Sequence, residues 1–373
     1  MRMRAAVLAA PRRPVEVREV ELDEPRAGEV LVRIAATGLC ASDLAALDAK
    51  RTLVPFPAVL GHEAAGVVDA VGEGVTTVRR GDHVVITILP SCGHCGSCAA
   101  ARPNHCHTAA DAMSAGNLLD GSSRLRDGRE RLNHFLTVSS LAEYAVVAES
   151  NVTVIDRAMP LDRAALIGCA VLTGFGAARR SAQVKPGDRV AVFGCGGVGL
   201  SAIQGARLAG AETIVAVDVH PAKLELARAV GATHSVDGLG DDVAAAVREA
   251  SGGGVDHAFE AAGRSETIEA AWHALAVGGM VTVIGTLRTG ARLDLDAGPL
   301  IEEKRITGCY LGGSSPRTDV PMLVNLYLDG SLLLDQLVSR RIDLGEVNDA
   351  FDRLRAGTEA RQLVVFDTVE AAM

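Results

Sequence analysis

Four cysteines stand at Cys92, Cys95, Cys98 and Cys106, separated by two, two and seven residues. Four thiolates this close can converge tetrahedrally. An all-cysteine set closes the coordination sphere of a zinc ion, which marks a structural site with no open position. His94, His105 and His107 share the stretch, but with four sulfurs at hand they read as loop residues. A second set of candidates is dispersed. Cys40 lies in Gly38-Leu39-Cys40-Ala41-Ser42-Asp43. His62 and Glu63 lie in Gly61-His62-Glu63-Ala64-Ala65-Gly66. Cys169 opens the segment Cys169-Ala170-Val171-Leu172-Thr173-Gly174. Two thiolates, an imidazole and an open fourth position would make a catalytic zinc. Spacing alone does not join these residues, and each read singly is more often a buried Cys or a satisfied His.

A third pattern is Gly194-Cys195-Gly196-Gly197-Val198-Gly199. It follows an apolar run at 189–193 and opens a helical pattern over 198–208, the context that a G-x-G-x-x-G dinucleotide loop requires. Gly194 permits a tight turn, Gly196 lets backbone approach a pyrophosphate, and Gly199 lets helix and strand pack closely. The helix start then offers free N–H groups to phosphate. Asp218 ends the next apolar run, where a carboxylate can accept from both ribose hydroxyls and would repel a 2′-phosphate. No Arg follows it, only Val219 and His220. NAD rather than NADP is the expected cofactor.

The elements that must position these groups change character near residue 170. Before it, β-rich runs at 30–34, 66–71 and 83–88 are punctuated by Gly28, Gly61, Gly72, Gly74 and Gly81, which predicts a folded-over β domain with few helices. After about 185, strands at 189–193, 213–217, 255–260, 280–284 and 305–311 alternate with helices such as 222–230. That alternation predicts a parallel sheet wound on both faces. From about 320 a helix-rich tail leads to a last strand at 362–366, expected to return to the first domain.

With 373 residues the chain has room for two domains. Hydrophobic residues make up 48% and charged residues 22%, which excludes wholesale disorder. Aromatics are only 3%, so Ala, Val, Leu and Ile must build the core. The net charge is −9 without a Lys/Arg block, which argues against nucleic acid or anionic membrane as partners. The uncharged stretch 164–178 is shorter than the ~20 residues of a membrane span. The apolar run after Met1 is too short for a signal peptide. A cytoplasmic location with reduced thiols is expected.

Taken together, these motifs resemble a zinc-dependent alcohol dehydrogenase of the medium-chain dehydrogenase/reductase superfamily, over essentially the whole length. The resemblance implies an α/β fold: a GroES-like β-rich catalytic domain at 1–170 with a structural-zinc lobe near 90–110, a six-stranded doubly wound Rossmann domain at 171–312, and a C-terminal segment at 313–373. It implies two zinc ions, one on Cys40, His62 and Cys169 and one on the four-cysteine lobe. Glu63 stands close behind the first zinc and Asp43 holds the His62 ring. Ser42 is the first proton acceptor and Thr173 packs against the nicotinamide. Gly197, Val198, Lys223 and Arg361 join Gly194, Gly196, Gly199 and Asp218 in holding NAD. Ile88, Phe135, Leu136, Thr286 and Tyr310 are the expected pocket, a mostly apolar set suited to a primary or secondary alcohol or its carbonyl. The segment 116–136 resembles an insertion of the dimeric branch, so a homodimer paired through the last Rossmann strand is expected.

The sequence also departs from that pattern. Ala41 stands where relatives carry a basic residue, and Ala45 where they carry a relay His. Glutathione-adduct-using relatives carry an Arg in the region that here reads Ala109-Ala110-Asp111. A thiol-adduct formaldehyde dehydrogenase is therefore the lesser alternative, as is a reductase of C=C bonds or a biosynthetic reductase on the same scaffold.

Overall fold

The short β-branched runs of the first half pair into two curved sheets because their turns are set by glycines and their inward positions are Ala, Val, Leu and Ile. In the computed structural model, which describes residues 1–88 and 90–366, one sheet closes into a barrel. It contains Arg2–Leu8, Glu16–Leu22, Leu125–Asp127, Glu130–His134 and Ala58–Val59. The other is seven-stranded and centred on the long strand Glu29–Gly38, which pairs with Ala64–Val71, Tyr144–Ala148 and Arg361–Val365. The tail therefore returns as expected: Leu363 lies opposite Gly38, in antiparallel register.

The second half builds a six-stranded parallel sheet. Its order is His234–Asp237, Thr213–Asp218, Arg189–Phe193, Val255–Glu260, Leu275–Val283, Arg305–Gly308. The order reverses beside Arg189–Phe193, the central strand that feeds the glycine loop, and a ligand crevice opens at such a reversal. The helix Pro221–Val230 starts on its proline and ends on Gly231, as the sequence indicates. The outermost strand stops at Gly308, short of the expected 311. The chain there turns into Leu311–Gly313, with Gly312 at φ 71°, which frees Tyr310 from the sheet.

One expectation is corrected in length. The uncharged stretch near 164–178 belongs to a continuous helix, Leu161–Ser181, of 21 residues, long and apolar enough to cross a membrane by those criteria alone. It is a core helix, 89% buried over its apolar window. Five residues, Ile167–Val171, form a π turn inside it. Such turns bulge a helix outward and often sit at functional sites; this one carries Cys169.

Candidate active site

Cys40 leaves the end of Glu29–Gly38 and immediately precedes the helix Ala41–Leu47. His62 lies just before Ala64–Val71, and Cys169 is on the π turn. Three segments distant in sequence thus bring two sulfurs and an imidazole nitrogen within 4.8 Å of one another, all buried. Asp43 ties them together. One carboxylate oxygen accepts from the Gly61 N–H at 2.9 Å; the other accepts from the Cys40 N–H at 3.2 Å and lies 3.2 Å from His62 Nδ1. His62 Nε2 has no hydrogen-bond partner although it is buried. A buried imidazole nitrogen turned toward two sulfurs suits a metal cation, and the Cys2His set is one that zinc takes with an open position. The electrostatics agree. The hydrogen bond from Cys169 holds the Cys40 thiol well below its ordinary range, while Cys169 is pushed well above it. Burial opposes a charged His62, but Asp43 and Cys40 outweigh it and raise the ring.

Behind this set stands Glu63. Its Oε2 accepts from the Ala170 N–H at 3.1 Å and lies 3.7 Å from the Arg361 guanidinium. Burial pushes its carboxyl up to about 7 in spite of Arg361. Arg361 itself is buried, donates from Nη1 to the Leu39 carbonyl at 3.1 Å, and crosses the glycine loop. A Cβ added at Gly197 would meet Arg361 Nε at 2.0 Å, and one at Gly199 would meet the Gly194 carbonyl at 1.8 Å. A Cβ at Gly196 would meet nothing within 4 Å, so the loop leaves room there for a ligand to approach the backbone. Val198 continues the loop and borders the cleft. The Asp218 carboxylate is fixed by the Cys195 N–H at 2.8 Å and the His220 N–H at 3.0 Å. Lys223 is half-buried on the next helix, facing Gly357. The loop and Asp218 therefore fit a nicotinamide dinucleotide.

Both constellations open on one cleft of about 840 Å³ between the two halves of the protein. Cys40, Ser42, Cys169 and Thr173 form its floor, and the Thr173 hydroxyl is buried without a partner. Ser42 Oγ lies 4.0 Å from Cys40 Sγ. Of the expected pocket residues, Ile88, Leu136, Thr286 and Tyr310 line the cleft. Phe135 does not. Its ring packs edge-on against His62, with centroids 5.6 Å apart, and is fully buried behind the ligand. The backbone explains the switch: Leu136 takes φ 50°, turning successive side chains to opposite sides.

The four cysteines of the lobe also converge, with their sulfurs within 4.8 Å of one another. Backbone N–H groups point at the sulfurs, Cys95 to Cys92 at 3.3 Å and Cys92 to Cys106 at 3.4 Å. The histidines turn elsewhere. His94 bonds the Cys92 carbonyl, His107 lies 3.2 Å from the Ser97 hydroxyl, and His105 packs beside Tyr310. The tetrathiolate set fits a closed structural zinc.

Sequence reasoning passed over Arg51, Arg102 and Asn104 in the outer wall of the cleft, and took His105 beside them only as a residue of the cysteine lobe. They lie in loops and the short 3-10 turn Pro103–His105, with no spacing that announces a site.

Residues 26–157 match the family described as alcohol dehydrogenase GroES-like domain, and residues 197–328 match that described as zinc-binding dehydrogenase. An alcohol dehydrogenase class-3 of Cereibacter sphaeroides is 39% identical over 98% of this chain and 100% of its own. An S-(hydroxymethyl)glutathione dehydrogenase of Synechocystis is 37% identical with the same coverage. The crystal structure of benzyl alcohol dehydrogenase from Acinetobacter calcoaceticus superposes with a TM-score of 0.93 at 34% identity, covering 98% of this chain and 99% of that one.

Proposed function

The chain belongs to the zinc-binding alcohol dehydrogenases with a GroES-like domain, and from that premise we propose reversible hydride transfer between an alcohol and NAD as its reaction. The observation that carries this reading is the buried, unpartnered His62 Nε2 beside two sulfurs, at the floor of the cleft that the glycine loop also borders. Cys40, His62 and Cys169 would hold the catalytic zinc, and Cys92, Cys95, Cys98 and Cys106 the structural one. Zinc supplies a Lewis acid that lowers the pKa of an alcohol oxygen, and NAD supplies the hydride acceptor.

The chain's own residues do the rest. Asp43, 3.2 Å from His62 Nδ1, would hold the ring in the tautomer that turns Nε2 inward. Ser42, beside Cys40 at the floor, takes the proton of the substrate hydroxyl. No imidazole follows it in the helix Ala41–Leu47, where Ala45 is buried, and the chain itself supplies no further proton acceptor at that position. Thr173 borders the nicotinamide position. Ile88 and Leu136 keep water from the carbinol carbon. Arg361 would hold the pyrophosphate and Asp218 would accept from the ribose hydroxyls, which favours NAD over NADP.

A second reading is oxidation of a glutathione thiol adduct, favoured by the name of the Synechocystis relative. Ala109-Ala110-Asp111, without Arg, speaks against it. The intact ligand set speaks against C=C reduction. A screen of primary, secondary and aromatic alcohols, with S-(hydroxymethyl)glutathione alongside, followed by NADH absorbance, tests the assignment. The expected result is NADH formation from simple alcohols at the higher kcat/KM. NADPH-dependent reduction of an activated alkene alone would overturn it.

A homodimer is part of the proposal. The strand Arg305–Gly308 ends the six-stranded sheet with all four residues exposed, and Ile301 nearby is 91% exposed. Pairing two such edges about a two-fold would cover both. The domain division at 1–170, 171–312 and 313–373 is retained as a working division, supported by the return of Arg361–Val365 to the first sheet. A cytoplasmic location is supported by eight free cysteines, seven of which must stay reduced to ligate metal.

A further inference from the structure

The wall of the cleft is not uniform. Above the floor the lining includes the small or apolar Ala41, Leu53, Ile88, Met113, Leu136 and Val283. Two guanidinium groups, Arg51 and Arg102, stand in the wall, and among the described lining residues there is no Asp or Glu. The two arginines come from separate loops that meet at Tyr310. The charge of Arg51 acts on the Tyr310 phenol. The loop that carries Arg102 places Asn104 Nδ2 at 3.3 Å from the Tyr310 carbonyl and the His105 ring 6.1 Å from the Tyr310 ring. Lys50, next to Arg51, is neutralised by Asp48 at 3.6 Å. Among the described residues, Arg51 and Arg102 have neither an ion pair nor a side-chain hydrogen bond.

Two unpaired cations in a concave wall whose described lining holds no carboxylate raise the local concentration of anions and offer planar forks to them. The cofactor's own phosphates do not account for the pair, because Arg361 already covers the glycine loop. We propose that the physiological substrate is an alcohol, or its aldehyde, that carries a carboxylate or phosphate at the end remote from the carbinol, held by Arg51 and Arg102. This rests on the reading of the cleft as an alcohol site and names the substrate class within it. It also explains why a cleft with an apolar middle ends in charge: the middle takes the hydrocarbon and the mouth takes the anion.

Three ligands of one shape separate charge from size: 4-(hydroxymethyl)benzoate, 4-(hydroxymethyl)phenyl phosphate and the neutral 4-(hydroxymethyl)benzamide. Each is assayed as a substrate of the zinc-loaded enzyme with NAD, and its binding to the same enzyme is measured by calorimetry. The expected result is a kcat/KM for one or both anions about tenfold above that of the amide, the scale of a charge-assisted hydrogen bond discounted for exposure. That preference should fall to near unity in Arg51→Gln/Arg102→Gln and weaken as salt is raised. Whichever anion shows the larger ratio identifies the group. An amide used as well as the anions, a ratio unchanged in the double variant, or a loss that appears in NADH affinity instead would overturn the proposal. Should none of the three be turned over while the anions still bind more tightly than the amide, and lose that advantage in the double variant, the anion subsite stands and alcohol oxidation fails.

Discussion

Replacing Gly197 by Ala puts a methyl group where the Arg361 side chain now passes. The added carbon would lie 2.0 Å from Nε, 2.7 Å from Cζ and 2.9 Å from Nη2, all closer than a real Cβ tolerates. The guanidinium must retreat by roughly 1 Å or more, in a packed site with little free space. It then gives up its donation to the Leu39 carbonyl at 3.1 Å and loosens from Glu63 at 3.7 Å. A hydrogen bond involving a charged group contributes about 1.5–3 kcal/mol. Against that stands a helix-propensity gain of at most ~1 kcal/mol for Gly to Ala. The net cost is therefore about 1–2 kcal/mol, a fall of a few degrees in Tm. Because Arg361 is assigned to the pyrophosphate, NADH affinity should drop about tenfold or more, the lower end of the same charged hydrogen bond. Gly196→Ala is the companion. Its Cβ meets no protein atom, so Tm should hold, yet it intrudes on the space left for the cofactor and NADH binding should fall as well. Fluorescence titration with NADH and thermal melts of both variants make the test. A Gly197→Ala protein with unchanged Tm and unchanged NADH affinity would refute the reasoning.

His134 supplies a pH dependence. Burial, with Arg124 and Arg131 nearby, pushes its pKa down to about 3, so the ring is neutral in the folded protein and accepts from the Arg124 N–H at 3.1 Å. The unfolded ring titrates near 6.5, so unfolding takes up a proton between those values. The stability it contributes is complete above pH ~6.5 and declines by about 1.4 kcal/mol per unit as pH falls toward 3. Urea midpoints of wild type and His134→Gln across that range should converge at low pH; parallel curves would contradict the assignment. Cys98→Ala should remove one zinc and lower Tm sharply, whereas His62→Ala should abolish alcohol oxidation with little change in Tm; the reverse pattern would mean the two sites were exchanged. Asp218→Gly with Val219→Arg should weaken both cofactors, since the loop loses its acceptor for the Cys195 and His220 N–H groups, while raising the NADP to NAD ratio of kcat/KM by roughly tenfold. A wild-type enzyme that already prefers NADPH would refute the ribose argument.

What could be read from the sequence was what is local. The glycine loop, its flanking strand and helix, and the four clustered cysteines each announce themselves within a dozen residues, and all stand where their patterns place them. Cys40, His62 and Cys169 did not. Only family resemblance joined them, because their convergence depends on the strand Glu29–Gly38, the Asp43 bridge and a π turn that no periodicity forecasts. Phe135 was misplaced for a similar reason: a turn with Leu136, Thr137 and Ser139 at positive φ decides which side chain faces the cleft. The buried ion pair of Arg124 with Glu29, 2.9 Å apart at Nε, joins residues far apart in the chain and was equally invisible. Arg51 and Arg102 carry no spacing that announces a site, and only the folded chain brings both to one cleft.

The most direct test of the account follows one hydrogen. The enzyme is incubated with NAD and benzyl alcohol deuterated at the carbinol carbon, and the reduced cofactor is weighed by mass spectrometry. The account predicts reduced nicotinamide carrying deuterium from the alcohol, formed by wild type and not by Cys40→Ala. Reduced cofactor without the label, or label transfer that survives the loss of Cys40, would contradict it.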